Sequence, residues 1–278
     1  MFRGFYTVAS GMIAQQRKTE MLTNNMANSN TPGYKADQSS MRAFPEMLLQ
    51  RMGGVNIPTE QELHLPYNRL VGKLNTGVYM QEMTPSFFQG DLKGTERKTD
   101  VALVNVNMPA NGETTGTVMF AVRGLDGNTQ YTRNGNFTLD GNGFLTNSNG
   151  NYILNENGLP IQLNSDQFSI NDRGEILVHD EVVTTLGIGY AEDPNLLTRD
   201  TGGLYSTEDN QPLPNANDVQ GVSFQTKQGF LERSNVDPSR TMTDMLTAYR
   251  AFEANQKVLQ AYDRSMEKAA NEIGRVGG

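Results

Sequence analysis

The chain has 278 residues, room for one large domain or two modest ones. It contains no Cys, which excludes disulfides and thiolate catalysis, and no apolar run approaches the length of a membrane-spanning helix. The formal charge of -8 argues against general binding of nucleic-acid phosphates. Residues 1–42 hold five Lys/Arg against two Asp/Glu, and residues 237–278 hold six against six, so the acidity belongs to the middle of the chain.

At the N-terminus, Phe5, Val8, Met12, Gln15, Thr19, Leu22 and Met26 alternate spacings of three and four, the seam of an amphipathic helix. Gly4 and Gly11 weaken this helix by roughly 1 kcal/mol each relative to Ala, so it needs a partner. A secretory leader is not expected. Thr7, Ser10 and Gly11 interrupt the apolar run, and the seam continues through Gln15, Gln16, Arg17 and Lys18. The helix stops before Pro32, which pushes Thr31 out of the helical region, and Pro32-Gly33 fits the centre of a type II turn.

Residues 36–95 carry little pattern. Met41, Phe44, Met47 and Leu48 suit a short helix broken by Gly53 and Gly54, and Gly77 to Met80 a short extended piece. From residue 100 the character changes. Val101 to Val106 and Thr117 to Arg123 are rich in β-formers, with further short strands expected at Phe137 to Leu139, Tyr152 to Leu154 and Glu175 to Val178. Turn signals punctuate them at Asn134-Gly135-Asn136, Asp140-Gly141-Asn142-Gly143, Asn149-Gly150, Asn157-Gly158 and Asp172-Arg173-Gly174, where Asn and Gly supply positive φ. This predicts an antiparallel meander. Asn105 to Thr117 reads as a polar loop, and residues 191–227, with Pro194, Pro212 and Pro214, as a return segment.

Residues Asp237 to Ile273 predict a second long helix, with Asp237 at the N-cap and Pro238 at the first helical position. Met242, Met245, Tyr249, Phe252, Gln256, Leu259, Asp263, Met266, Ala270 and Ile273 form its seam. Gln15 and Gln256 are polar seam positions of the kind that fix register. The two seams predict that the termini pair as a coiled coil around a central antiparallel β domain, an α+β fold.

No catalytic, cofactor or metal site is expected. Asp140-Gly141-Asn142-Gly143 opens like a calcium loop, but Phe144 and Leu145 stand where a ligand and an obligatory Gly belong. His64 and His179 are far apart and lack ligand spacing. There is no phosphate-cradling Walker loop and no nucleophile elbow.

Ala27-Asn28-Ser29-Asn30-Thr31-Pro32-Gly33-Tyr34-Lys35 resembles the N-terminal signature of bacterial flagellar axial proteins: the rod, hook and hook-associated subunits. Gln228-Gly229-Phe230-Leu231-Glu232-Arg233-Ser234-Asn235-Val236-Asp237 resembles the segment before their C-terminal helix. Ala248-Tyr249-Arg250-Ala251-Phe252-Glu253-Ala254-Asn255-Gln256-Lys257 resembles that helix. Gln130-Tyr131-Thr132-Arg133-Asn134-Gly135 with Phe137 is similar to a segment of rod and hook proteins, although the Gly-rich turn usual before it is replaced here by the loop from Asn105. Length points to the rod-type subunits, of the FlgG and FlgF type and their Gram-positive relatives.

The resemblance implies a structural subunit of the basal-body rod, not an enzyme, that polymerises with itself and with adjacent rod and hook subunits. It implies delivery by the flagellar type III export apparatus to a place outside the cytoplasmic membrane. No nucleic acid, small-molecule substrate or cofactor is expected. The expected partition is 1–34 and 228–278 as helices of an axial core, 35–95 as a linker and 96–227 as the β domain. The alternatives are a hook or hook-associated subunit, a secreted β-domain binder oligomerised by its coiled coil, and a degenerate enzyme with a hidden carboxylate pair.

Overall fold

The computed structural model of the chain describes residues 2–57, 63–112, 114–164, 167–200 and 202–272. Helix α1 spans Phe2–Ala27. Strands β1 (Asp37–Ala43), β2 (Met47–Ile57), β3 (Leu63–Leu74) and β4 (Val78–Pro85) follow, where β1 pairs with β4 and β2 with β3. The expected short helix around Met41 to Leu48 is therefore absent. Met47 and Leu48 lie in β2, and Gly53 and Gly54 continue that strand instead of ending a helix. Cross-strand hydrogen bonding outweighs the weak local helical spacing.

The remaining strands are β5 (Leu92–Gly94), β6 (Val101–Asn107), β7 (Ala110–Asn111), β8 (Thr114–Thr115), β9 (Thr117–Arg123), β10 (Thr129–Thr132), β11 (Phe137–Leu139) and β12 (Leu145–Asn147). After these come β13 (Ser169–Ile170), β14 (Glu175–Val178), β15 (Glu181–Thr185), β16 (Ile188–Ala191), β17 (Thr198–Arg199), β18 (Tyr205–Ser206), β19 (Ser223–Gln228) and β20 (Phe230–Glu232). Helix α2, Pro238–Glu272, closes the described chain and starts at the expected proline. Among the described residues, the pairings of β2 with β3 and of β5 through β20 are antiparallel. The polar stretch from Asn105 is not one loop: β6 runs on to Asn107, and β7 pairs with β8 in a short hairpin.

The chain divides into two compact units. One comprises Met1–Asn24, Gln38–Met83 and Ser239–Gly278; the other comprises Asn25–Asp37 and Thr84–Pro238.

The second unit is built around β9, the second strand in a five-stranded sheet ordered β16-β9-β10-β18-β17. Alternation along β9 sends Val118, Phe120 and Val122 into one core with Phe137, Leu145, Ile153, Ile176 and Leu186. Met119 and Ala121 enter another with Tyr131, Leu154 and Tyr205. A strand apolar on both faces has to be buried on both, which is why this segment shows no polar alternation.

The turns repeat one device. The side-chain oxygens of Asp140, Asn147, Asn155 and Asn171 each accept backbone N–H groups two and four residues on. The glycine three residues on takes positive φ each time: Gly143, Gly150, Gly158 and Gly174. Asp140 is thus the anchor of a hairpin between β11 and β12. Gly135 serves a different purpose from the expected positive φ: a Cβ there would meet the Val101 carbonyl oxygen at 1.6 Å.

A buried clamp and two helical faces as the candidate assembly site

The signature turn lies within the second unit. The Tyr34 N–H donates to the Thr31 carbonyl (3.3 Å), and Gly33 has φ +68°, as a Pro-Gly turn requires. A Cβ on Gly33 would stand 2.5 Å from the Arg133–Asn134 peptide, so only Gly lets the turn lie this close to the β domain. Gly33 and Tyr34 are buried, Asn28 and Pro32 half-buried, and Asn30 and Thr31 exposed. The Tyr34 hydroxyl donates to Asn25 Oδ1 (3.1 Å), which also accepts from the Asp37 N–H, while Asn25 Nδ2 donates to the Asp37 carbonyl.

Both sequence signatures meet in this unit. The Gly33 N–H donates to the Glu232 carbonyl (2.8 Å), and Asn235 Oδ1 accepts from the Ala36 N–H (2.7 Å). At the centre is a carboxylate between two cations. Glu232 Oε1 accepts from Lys35 Nζ (2.7 Å) and the Gly90 N–H (2.8 Å), and Oε2 from Arg133 Nε. Lys35 also donates to the Phe88 carbonyl, and Arg133 to the carbonyls of Val118 and Leu103. Each of the three side chains is 1% exposed.

Such burial is tolerable only because every polar group is paired. Burial by itself would raise the Glu232 carboxyl, but the charges of Arg133 and Lys35 and their hydrogen bonds outweigh it and hold the group below its usual range. Lys35 competes with Arg133 for one anion. Burial, aided by the Arg133 charge, brings it down to about 8 in spite of Glu232. Nearby, Arg199 donates to both Asp37 oxygens (3.1 and 3.2 Å) and lies 4.5 Å over the Tyr34 ring. Burial pushes the neighbouring Tyr205 hydroxyl up to about 12.

Lys35, Arg133 and Glu232 lie inside the signature segments, yet nothing in the sequence assigns them a role. Charged residues far apart in the chain give no spacing to read. The one available hint was that Lys35 and Glu232 sit beside Gly- and aromatic-rich segments.

In the helical unit, α1 and α2 are antiparallel neighbours. A Cβ on Gly4 would strike the Tyr262 hydroxyl, and one on Gly11 would lie 3.2 Å from Asn255 Nδ2. Thr23 Oγ1 donates to the sulfur of Met245 (3.6 Å). The two glycines expected merely to weaken α1 are the positions that admit α2. Leu22 is buried in a cluster with Met21, Met80 and, at its edge, Met245.

Phe5, Val8, Met12, Gln15 and Met26 are half-buried, as are Met245, Phe252, Leu259 and Met266. Met242, Tyr249 and Gln256 are exposed, and Ile273 lies outside the described residues. The face of α2 least accessible to solvent steps instead through Thr241, Met245, Ala248, Phe252, Asn255, Leu259 and Tyr262. It shares Met245, Phe252 and Leu259 with the predicted seam and is displaced by one residue between them. Tyr262 and Asn255 take the room that Gly4 and Gly11 leave, and a search for the largest apolar side chains passes over Thr241, Ala248 and Asn255. Gln15 and Gln256 do not face each other: Gln15 Nε2 reaches the sulfur of Met41 (3.9 Å).

Among the described residues there is no group of three or more potential metal ligands, and no helix is long and apolar enough to cross a membrane.

Three family descriptions match the chain. Flagella basal body rod protein covers residues 5–35, Flagellar hook protein FlgE/F/G D1 domain covers 114–178, and Flagellar basal body rod FlgEFG protein C-terminal covers 227–272. The flagellar hook-basal body complex protein FlhO of Bacillus subtilis (strain 168) is 45% identical, over 99% of this chain and 100% of that protein. The flagellar basal-body rod protein FlgG of Agrobacterium fabrum is 31% identical over 94% and 95%. FlgG of Bacillus subtilis is 30% identical over 98% and 99%. With matches that run from end to end and include both segments of the clamp, the chain belongs to the flagellar basal-body rod protein family.

Proposed function

We propose that the protein is a structural subunit of the flagellar rod that polymerises with copies of itself and with adjacent rod and hook subunits through its terminal helices. The observation that carries this reading is the apolar surface left on α2. Met242, Leu246, Tyr249 and Val258 remain 44–53% exposed. Tyr6 and Ile13, seven residues apart on α1, are exposed as well. Burying a fully exposed apolar side chain stabilises by about 1.5–3 kcal/mol, and since roughly half of each remains to be covered, neighbouring helices gain a fraction of that at every position along each strip.

In the polymer, residues 1–34 and 228–278 form the axial core, with the helices paired as a coiled coil. Residues 35–95 connect, and 96–227 form the outer domain. Phe5, Val8, Met12, Gln15, Leu22, Met26, Met242, Met245, Tyr249, Phe252, Gln256, Leu259, Met266 and Ile273 contribute the seams within and between subunits. Asn28, Asn30, Thr31, Pro32, Gly33 and Tyr34 fix the turn that follows α1. The subunit reaches its place through the flagellar type III export apparatus. It is a scaffold and carries no reaction. A hook subunit is the second reading, favoured by the match to a domain described from hook protein.

Isolation of basal bodies from cells carrying an epitope-tagged chain, with immunogold imaging, tests the proposal. Label on the rod supports it, and label on the hook selects the second reading. Absence of the chain from basal bodies, with normal swimming of a deletion strain, overturns both.

A further inference from the structure

The second unit has a groove of about 730 Å³, of the size that takes a short peptide or turn. Glu192, Asp193, Glu208 and Asp209 stand on its rim, Leu196 and Leu213 give it an apolar lining, and no Lys or Arg lines it. Its walls are built in advance. Asp193 accepts from the Asn195 N–H and caps the one-turn helix that presents Leu196, which is 68% exposed. On the other side, Thr207 Oγ1 donates to the Gln211 carbonyl (2.7 Å), and Asn210, at φ +53°, donates its N–H to the Thr207 carbonyl.

A complementary feature lies elsewhere on the same unit. Lys93, Arg97 and Lys98 are exposed around a tight turn with Glu96 at φ +60°. Among the described residues none of the three forms an ion pair. The turn is held firmly: Gln228 Nε2 donates to the Lys98 carbonyl (2.7 Å), and the Thr95 N–H to the Gly229 carbonyl (2.8 Å).

The ribbon of β6 and β19 fixes where the two features stand. Val101 pairs with Gln228 at one end and Asn107 with Ser223 at the other. Six residue steps of strand separate those ends by about 20 Å. The cationic turn is at the Gln228 end. The groove, whose lining includes Pro109, Val219 and Gln220, is at the other, where Asn107 Nδ2 donates to the Gly221 carbonyl (2.7 Å). A copy therefore cannot fill its own groove with its own turn.

We propose that consecutive copies dock head to tail through their β units, the Lys93–Lys98 turn of one seated in the acidic groove of the next. The proposal rests on the self-assembly reading above. Two different patches at opposite ends of one ribbon make a heterologous contact, the kind that can repeat into an open helical array. Their opposite charges steer the encounter and set its polarity.

The absence of native Cys allows a direct test. A Gly94→Cys/Gln220→Cys variant keeps the three cations of the turn and all four rim carboxylates, since a Cβ at Gly94 meets nothing nearer than the Phe230 ring at 3.7 Å. In basal bodies from swimming cells, a short thiol-specific cross-linker should convert it into a ladder of covalent oligomers, whereas each single variant gives no ladder. Adding Glu208→Lys/Asp209→Lys should reduce the ladder at least tenfold. In a Cys-free background, Glu192→Lys/Glu208→Lys/Asp209→Lys, which leaves only Asp193 acidic and makes the rim net positive, should impair swimming, and combining it with Lys93→Glu/Arg97→Glu/Lys98→Glu should restore it. The proposal is overturned by the absence of a ladder when the chain is present in basal bodies, by an equal ladder from a Leu125→Cys/Gln220→Cys control, by cross-linking of the Gln220→Cys thiol only to a different subunit, or by failure of the charge swap to restore swimming in variants that melt like the wild type. Absence of the wild-type chain from basal bodies would instead bring down the rod reading on which it rests.

Discussion

Glu232→Gln is nearly isosteric, yet it should be among the most damaging single changes in this chain. It removes the one anion between Lys35 and Arg133 and leaves both cations with side chains 1% exposed. Breaking a buried ion pair by removing one partner costs about 3–5 kcal/mol. For a domain of this size that is a fall in melting temperature of roughly 6–20 °C. Lys35 has an escape, because its pKa already stands at about 8 and it can give up its proton. Arg133 has none.

Lys35→Met should therefore cost less than Glu232→Gln. It leaves a one-to-one Arg133–Glu232 pair, and the Phe88 carbonyl keeps its bond from Asn235. The double variant Glu232→Gln/Lys35→Met should be less destabilised than the sum of the singles by about 1 kcal/mol, within the usual range for coupled neighbours. Urea and thermal unfolding of the purified chain, followed by circular dichroism in the β region, measure all three. The reasoning fails if Glu232→Gln melts within a degree or two of the wild type, or if Lys35→Met proves the more damaging single change.

The clamp also sets a pH response. Glu232 is held below its usual 4.5, so its stabilisation is fully present above that value and is lost as pH falls through the lower folded pKa; Glu232→Gln should flatten this acid limb of the melting curve. For Lys35, folded at about 8 against 10.5, the unfolded chain holds more protons between those values. Wild-type stability relative to Lys35→Met should therefore rise with pH across that window, and a flat difference would contradict it. Leu259→Glu, on the α1-facing row of α2, should abolish rod assembly and swimming with the β unit still melting normally; swimming like the wild type would dismiss the seam. Leu22→Glu should also loosen the helical unit of the purified chain, since Leu22 already lies in a buried cluster with Met21 and Met80, whereas exposed Lys268→Glu should be silent in both assays. Limited proteolysis should trim both termini to a fragment that begins near Asn25 and ends near Pro238, read by mass spectrometry; a stable fragment beginning beyond Lys35 would count against the clamp.

The helices were legible because their information is local. Three-four spacing, the Asp237-Pro238 start and the Pro32-Gly33 stop all act within a few residues of where they are read. The hairpins were legible for the same reason, since an Asn or Asp anchors its own turn and the Gly that follows takes positive φ. Residues 37–85 misled, because their strands are made by pairing with segments distant in sequence and local spacing suggested a helix for Met41 to Leu48. The α2 face lies one residue aside of the predicted seam at alternate positions because Tyr262 and Asn255 take the room that Gly4 and Gly11 leave on α1, a gap in the partner helix that spacing within α2 does not show. The clamp was beyond reach altogether. Lys35, Arg133 and Glu232 are each ordinary surface residues by type, and only the tertiary fold, by bringing three segments far apart in sequence into one buried cluster, makes one carboxylate answer to two cations.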